Sequence, residues 1–322
     1  MKVIQITEFG DSSVLKYTDL DIRKPSNNEI IIKQEAIGVN FIDTYQRSGA
    51  YQVSLPFIPG SEGSGIVTEI GKDVSRFKIG DKVAYSMVLG GYAEYAVVSE
   101  EIAVSIPSKI DFSIAASVLL QGMTAHYLVY STFQLKSEDT CLIHAGAGGV
   151  GLLLIQMAKN IGAKVITTVS NEEKKQLAIN AGADKVIIYT KQNFTEEIKK
   201  FTNYKGISVV YDSVGKTTFE GSLDCLKPRG YMVLYGQSSG AVAPIDPQIL
   251  NRKGSIFLTR PNLANYIQDN EELKWRSNDI FRWISEGSLD VRIGLSLPLK
   301  QAAQAQDALG SRQTTGKVIL IP

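Results

Sequence analysis

The stretch "HAGAGGVG", His144 to Gly151, constrains this chain more than any other. Its glycines at 146, 148 and 151 have the G-x-G-x-x-G spacing of a dinucleotide-binding turn. Taken alone that spacing is a weak signal, because glycine-rich turns are common. Here it follows the short apolar strand of "SEDTCLIHA" and opens the helical pattern "GVGLLLIQMAKNIG", which leads into the strand-like "KVITTVS". In that setting Gly146 allows a tight turn, Gly148 lets backbone approach a pyrophosphate, and Gly151 lets helix pack on strand.

The neighbourhood extends the pattern. "NEEKKQLAINAG" and "NFTEEIKKFTN" read as helices, "DKVIIYT", "ISVVYDSVG" and "YMVLYGQ" as strands, and "KTTFEGSLDCLKPRG" as a helix ended by Pro228 and Gly230. Regular alternation of this kind predicts a doubly wound parallel α/β sheet, with its ligand at the carboxyl ends of the strands. Before it, "KVIQITEF", "EIIIKQEAIGVN", "GSGIVTEIG" and "GDKVAYSMVLGGYAEYAVVS" are short β segments between Gly and Pro, which suggest a barrel or folded sheet. "DFSIAASVLLQGMTAHYLVYST" is a helix, as are the polar stretch Asn265–Gly287 and the start of the C-terminal segment, which ends in a strand. We therefore expect a β-rich domain over 1–122 and 260–322, with a cofactor domain over 123–259 inserted into it.

The end of the second strand of the α/β unit bears on the cofactor. An acid about 20 residues after the glycines normally holds the ribose hydroxyls of NAD. Here Ser170 and Asn171 are neutral, Lys174 follows on the first helical turn, and Tyr189 ends the next strand. A hydroxyl, a cation and a helix N-terminus suit a dianion, so the residues favour NADPH over NADH. Glu172 and Glu173 are the alternative acids, although first-turn acids also serve a helix N-terminus directly.

Composition excludes several partners. With 34 basic and 33 acidic residues, the net charge of +1 favours neither nucleic acid nor an anionic membrane. No stretch approaches roughly 18 uninterrupted apolar residues, and the N-terminus has no signal-like apolar core. Two distant cysteines, Cys141 and Cys225, fit a reducing cytoplasmic setting. With His126 and His144 the only histidines, a four-cysteine zinc site cannot be built and a catalytic Cys/His site is hard to build.

Several longer motifs carry a resemblance: "AIGVNFIDTYQRSGAY", "PFIPGSEGSGIVTEIGKDVSRFKIGDKVAY", "LLQGMTAHYL", "VVYDSVG", "SLDCLKPRG" and "YGQSSG", besides the glycine loop. Over essentially its whole length the chain resembles the zinc-free quinone oxidoreductases, the ζ-crystallin-like branch of the medium-chain dehydrogenase/reductase superfamily. "NFIDTY" and "GSEGSG" stand where zinc members of that superfamily place a Cys and a His ligand. The resemblance implies a Rossmann cofactor domain inserted into a GroES-like catalytic domain, a homodimer, and hydride transfer from NADPH to a quinone without metal.

It also implies contacts. Asn40, Asp43 and Tyr45 would lie near the nicotinamide, and Thr124 and Tyr127 would approach its ribose and ring. Gly148, Gly149 and Val150 would meet the pyrophosphate, while Ser170, Lys174 and Tyr189 would hold the 2′-phosphate. Ser213 would lie by the adenosine. Tyr235, Gly236, Ser239, Thr259 and Arg260 would flank the nicotinamide half, and Arg312 would close over the cofactor. Asn40, Tyr45 and Arg260 are candidates for polarising the acceptor oxygen, with Asp43 beside them. Asn40 and Asp43 also suit a plain capping role for the helix "FIDTYQRSG". An alkene or enone reductase on the same fold is the rival reading. A non-catalytic NADPH-binding protein, crystallin-like or RNA-binding, is a third; the lack of a basic run argues against RNA.

Overall fold

The computed structural model describes residues 1–322, which divide into two compact units, Met1–Met123 with Ile267–Pro322, and Thr124–Tyr266.

The first unit is built on the longest strand. β1 (Lys2–Gln5) and β2 (Lys16–Asp19) form an antiparallel pair ahead of β3 (Glu29–Val39). In β3 the run "IIIKQEAIGV" is buried almost throughout, as a strand covered on both faces requires. After α1 (Phe41–Arg47) come β4 (Glu62–Ile70), β5 (Lys82–Ser86), β6 (Tyr95–Ser99) and β7 (Val104–Ser105). α2 (Phe112–Tyr127) then runs to the boundary of the unit and continues as a wider π-type turn, Leu128–Thr132. Phe112–Thr132 is long and apolar enough to cross a membrane, but 78% of its most apolar window is buried inside the protein. Its burial marks it as a core helix.

In the second unit, β8 (Thr140–Ile143), α3 (Gly149–Ile161), β9 (Lys164–Val169), α4 (Glu172–Asn180), β10 (Lys185–Ile188), α5 (Phe194–Phe201) and β11 (Ile207–Asp212) alternate as expected. α6 (Phe219–Leu223), β12 (Leu226–Leu234), α7 (Gln248–Arg252) and β13 (Phe257–Thr259) follow. All six strands are parallel, in the order β10-β9-β8-β11-β12-β13. The order reverses at β8, the topological switch point at which doubly wound Rossmann sheets bind ligands. Leu142, Ile166, Ile187, Val210 and Met232 make the core beneath it.

The chain then returns to the first unit through α8 (Asn270–Ser285), β14 (Ile293–Pro298), α9 (Ala302–Gly310) and β15 (Lys317–Ile321). The large sheet there has the order β14-β15-β3-β4-β5-β7. β6 pairs with Glu29–Lys33 of β3, and β15 pairs with its far end at Ile37–Val39.

Two segments differ from the sequence reading. "KTTFEGSLDCLKPRG" is helical only from Phe219 to Leu223, and Leu226–Leu234 is a strand that contains Pro228 and Gly230. The β11 ladder passes from Leu226 to Tyr231 across an irregularity, so Pro228, Arg229 (φ +61°) and Gly230 lie outside it. A proline and a glycine are tolerated there because they interrupt no ladder bond. "IGLSLP" of β14 adds a strand that its half-buried alternation had not announced.

Candidate cofactor and substrate site

The glycine loop runs from the end of β8 into α3. Gly146 N–H donates to Thr168 O (3.0 Å), which ties the turn to β9. A Cβ on Gly146 would lie 2.0 Å from Thr167 Oγ1, and one on Gly151 would lie 2.3 Å from Ala145 O. Both glycines are therefore required by packing within the protein. Gly148 differs: a Cβ there meets only Ala145 O, at 3.2 Å. Gly148 is the N-cap of α3 and no side chain caps that helix. Its first-turn N–H groups, including Gly149 and Val150, form the donor cradle that suits a pyrophosphate. These residues fit a dinucleotide on structural grounds.

At the end of β9, Asn171 Oδ1 caps α4 by accepting from Lys174 N–H (2.9 Å). Thr190 Oγ1 donates to Ser170 O (2.8 Å), and Tyr189, at the end of β10, is 43% exposed. Glu172, one of the two acids that could compete for the ribose, is ion-paired on both oxygens, to Lys191 (3.4 Å) and Lys175 (3.6 Å). Its charge is directed to these surface lysines.

At the end of β11, the buried carboxylate of Asp212 organises the next loops. Its Oδ1 accepts from Val214 N–H (2.7 Å) and Gly215 N–H (3.0 Å), and its Oδ2 accepts from Thr218 Oγ1 (2.7 Å) and Ser222 Oγ (3.1 Å). Asp212 O accepts from Tyr235 N–H (2.9 Å), while Ser239 bonds Val214 O through both N–H (2.8 Å) and Oγ (2.7 Å). Ser213, Tyr235, Gly236 and Ser239 thus belong to one braced pair of loops. Burial raises the Tyr235 phenol. Thr259 ends β13, and Arg260 after it is exposed. Thr124 is 8% exposed. Tyr127 is fully interior, stacked on Tyr266 with centroids 4.3 Å apart.

The first unit holds the remaining candidates, and they divide into interior and exposed sets. Asn40 is the N-cap of α1. Its Oδ1 accepts from Lys317 Nζ (2.9 Å) and Gln121 Nε2 (3.3 Å), and its Nδ2 donates to Glu62 Oε2 (3.0 Å). Asp43 lies beneath it and accepts from Asn40 N–H (2.8 Å), Tyr92 OH (3.0 Å) and Ser61 Oγ (3.3 Å). Burial pushes the Asp43 carboxyl up to about 6, against the lowering effect of those bonds and of Lys317. With both side chains buried and bonded inward, Asn40 and Asp43 brace the start of α1. Tyr45, half-buried on the same helix, packs on Tyr51 at 5.2 Å. Arg312 is exposed, at φ +59° between α9 and β15.

Sequence reasoning missed Glu62, Lys317 and Gln121. Glu62 and Lys317 form a buried ion pair of 2.5 Å, and Glu62 Oε1 also accepts from Leu120 N–H (2.7 Å). The residues with metal-ligand chemistry are engaged elsewhere. His144 bonds Thr168 and Ser222, His126 packs on Tyr130 at 4.6 Å, and burial pushes both cysteine thiols up to about 12.

Comparison with known proteins agrees with this anatomy. Residues 26–108 match the family described as alcohol dehydrogenase GroES-like domain, and residues 149–270 match that described as zinc-binding dehydrogenase. A quinone oxidoreductase of Pseudomonas aeruginosa is 44% identical over 100% of this chain and 99% of its own. A 2-haloacrylate reductase of Burkholderia sp. is 37% identical over 95% of this chain and 94% of its own. The crystal structure of Escherichia coli quinone oxidoreductase complexed with NADPH superposes with a TM-score of 0.98, at 43% identity and 100% coverage of both chains. The match in both domains and at full length shows that this chain belongs to the quinone oxidoreductase family of the medium-chain dehydrogenase/reductase superfamily.

Proposed function

We propose that this protein is an NADPH-dependent quinone oxidoreductase. The observation that carries the reading is the pairing of two features on one sheet. The uncapped N-terminus of α3 lies open at Gly148, and at the neutral end of β9 one of the two adjacent acids, Glu172, is paired with lysines. The first suits a pyrophosphate; the second, with Ser170, Lys174 and Tyr189, suits a 2′-phosphate. The Escherichia coli relative, crystallised with NADPH, supports the same cofactor.

When bound, NADPH supplies the hydride that reduces the acceptor. Gly148, Gly149 and Val150 anchor the pyrophosphate, and the loops braced by Asp212 orient the nicotinamide half. Tyr45 and Arg260 each keep exposed surface, and each carries a polar head able to polarise an acceptor oxygen. Asn40 and Asp43 hold α1 in place behind Tyr45. A quinone that has accepted hydride is basic enough to take its proton from water, so no strong acid is needed.

A steady-state panel of NADPH and NADH against simple quinones tests this. Turnover is expected with NADPH well above NADH, and no NADPH oxidation with any quinone would sink the reading. Reduction of an activated alkene is the second reading, favoured by the similarity to 2-haloacrylate reductase. Adding 2-haloacrylate and a conjugated ketone to the panel separates the two.

We also propose a cytoplasmic homodimer. Two free, buried cysteines fit a reducing compartment. β13 pairs only with β12, leaving an outer edge at which Phe257 is 50% exposed and stacked on Tyr231 (4.6 Å). Light scattering of the wild type should give twice the chain mass, and Phe257→Lys should give the monomer. A monomeric wild type refutes the assembly.

A further inference from the structure

His144 belongs to the glycine-loop motif, yet it contributes nothing to the cradle itself. It is 1% exposed, at the end of β8, the strand at which the sheet order reverses. Its Nδ1 lies 2.8 Å from Thr168 Oγ1 on β9, and its Nε2 lies 3.0 Å from Ser222 Oγ on α6. Ser222 Oγ donates to Asp212 Oδ2 (3.1 Å) at the end of β11.

The proton assignment follows from these partners. Ser222 has one hydroxyl proton, and Asp212 takes it. Nε2 must then carry the ring proton and donate to Ser222, which leaves Nδ1 to accept from the Thr168 hydroxyl. The imidazole is neutral, and burial holds its pKa below the ordinary histidine value. A polar chain Thr168–His144–Ser222–Asp212 therefore crosses the switch point beneath the glycine loop. One end is on Thr168, whose carbonyl fixes Gly146 N–H and which lies two residues before Ser170. The other is on Asp212, which shapes the loops carrying Ser213, Tyr235 and Ser239.

We infer that His144 is a positioning residue that holds the two cofactor-binding edges of the sheet, the β9 end and the β11 end, in fixed relation. The inference rests on the NADPH reading above. It assigns each ring nitrogen to a different half of the cofactor: the Thr168 arm serves the 2′-phosphate side, and the Ser222–Asp212 arm serves the nicotinamide side.

The test is equilibrium binding of NADPH and of adenosine 2′,5′-bisphosphate, which carries only the phosphorylated adenosine half. An asparagine reaches as far as Nδ1 and can accept from Thr168; a glutamine reaches as far as Nε2 and can donate to Ser222. His144→Asn is expected to weaken NADPH roughly fivefold to tenfold while leaving the bisphosphate within about twofold. His144→Gln is expected to weaken both ligands by similar factors. Thr168→Val and Ser222→Ala cut the same arms with the histidine kept, and they serve if the histidine variants do not fold. Thr168→Ser should restore bisphosphate binding. Variants that melt earlier yet bind both ligands as the wild type does would make His144 a core residue only and overturn the inference. A wild type that binds neither ligand would instead overturn the cofactor reading beneath it.

Discussion

Removing Lys317 should destabilise the first unit severely, and removing Glu62 with it should restore most of the loss. The ammonium is 1% exposed and the carboxylate 0% exposed, at 2.5 Å. Breaking a buried pair from one side leaves a desolvated charge and costs about 3–5 kcal/mol. Lys317→Met leaves Glu62 with only Asn40 Nδ2 and Leu120 N–H. It also removes the nearer of the two donors to Asn40 Oδ1, leaving Gln121 Nε2 at 3.3 Å. For a unit of this size the melting midpoint should fall by about 6–20 °C. In the double variant Glu62→Gln/Lys317→Met no ion is stranded, and the Asn40 amide can turn over to meet the new one. The double variant should lie within about 1–2 kcal/mol of wild type, so adding Glu62→Gln to Lys317→Met recovers about 2–3 kcal/mol. Urea unfolding followed by tryptophan fluorescence reads this unit alone, since both tryptophans, Trp275 and Trp283, are on α8. A two-unit chain need not unfold in one step, so a probe confined to one unit matters. A single-variant cost below about 1 kcal/mol, or strictly additive costs, would refute the buried pair as an energetic unit.

Gly151→Ala should lower the melting temperature, because its Cβ would strike backbone at 2.3 Å; Gly148→Ala should leave it nearly unchanged while weakening NADPH about tenfold or more. If Gly148→Ala binds NADPH normally, the pyrophosphate does not sit at this loop. Lys174→Glu should raise KM for NADPH on the order of tenfold or more and change that for NADH by about twofold or less; equal changes would make Lys174 an ordinary surface lysine. Asp43 gives a pH dependence whose sign is fixed by a folded pKa near 6 against an ordinary 3.8. The raised value favours the protonated native state, so its stabilising share is complete below 3.8 and lost as pH rises through about 6. Relative to wild type, Asp43→Asn should therefore gain about 3 kcal/mol, to order of magnitude, between pH 3.5 and 7. A flat difference in urea midpoints across that range would contradict the burial of an ionisable carboxyl there.

The parts of this protein legible in its sequence are those governed by local rules. Between Thr140 and Thr259 the apolar runs alternate with helical spacing, and two of the helix starts, at Asn171 and Asn193, carry their own side-chain cap. The glycine loop was readable for the same reason, since two of its three glycines answer to atoms within a few residues or on the adjoining strand. Pro228 and Gly230 misled because their usual meaning as a helix stop is also local, and the irregular pairing with β11 that accommodates them is not. Nor could spacing pair Glu62 with Lys317, 255 residues apart. That pair follows only from register: Val318 opposes Val39 and Ile37 opposes Gly63, so Lys317, Asn40 and Glu62 meet at one corner of the sheet.

The same construction recurs at His144, Thr168 and Asp212, at or beside the ends of three adjacent strands of the second unit. In each unit, buried ionisable groups are tied into a polar network across strand ends. Quinone reduction by hydride needs little more from the protein than this, because the cofactor carries the chemistry and rigid placement supplies the rate. Buried charge in this fold therefore serves geometry. It follows that substitutions in the His144 network should change cofactor affinity and stability together, whereas a change at the exposed Arg260 should alter acceptor turnover with little effect on the melting temperature.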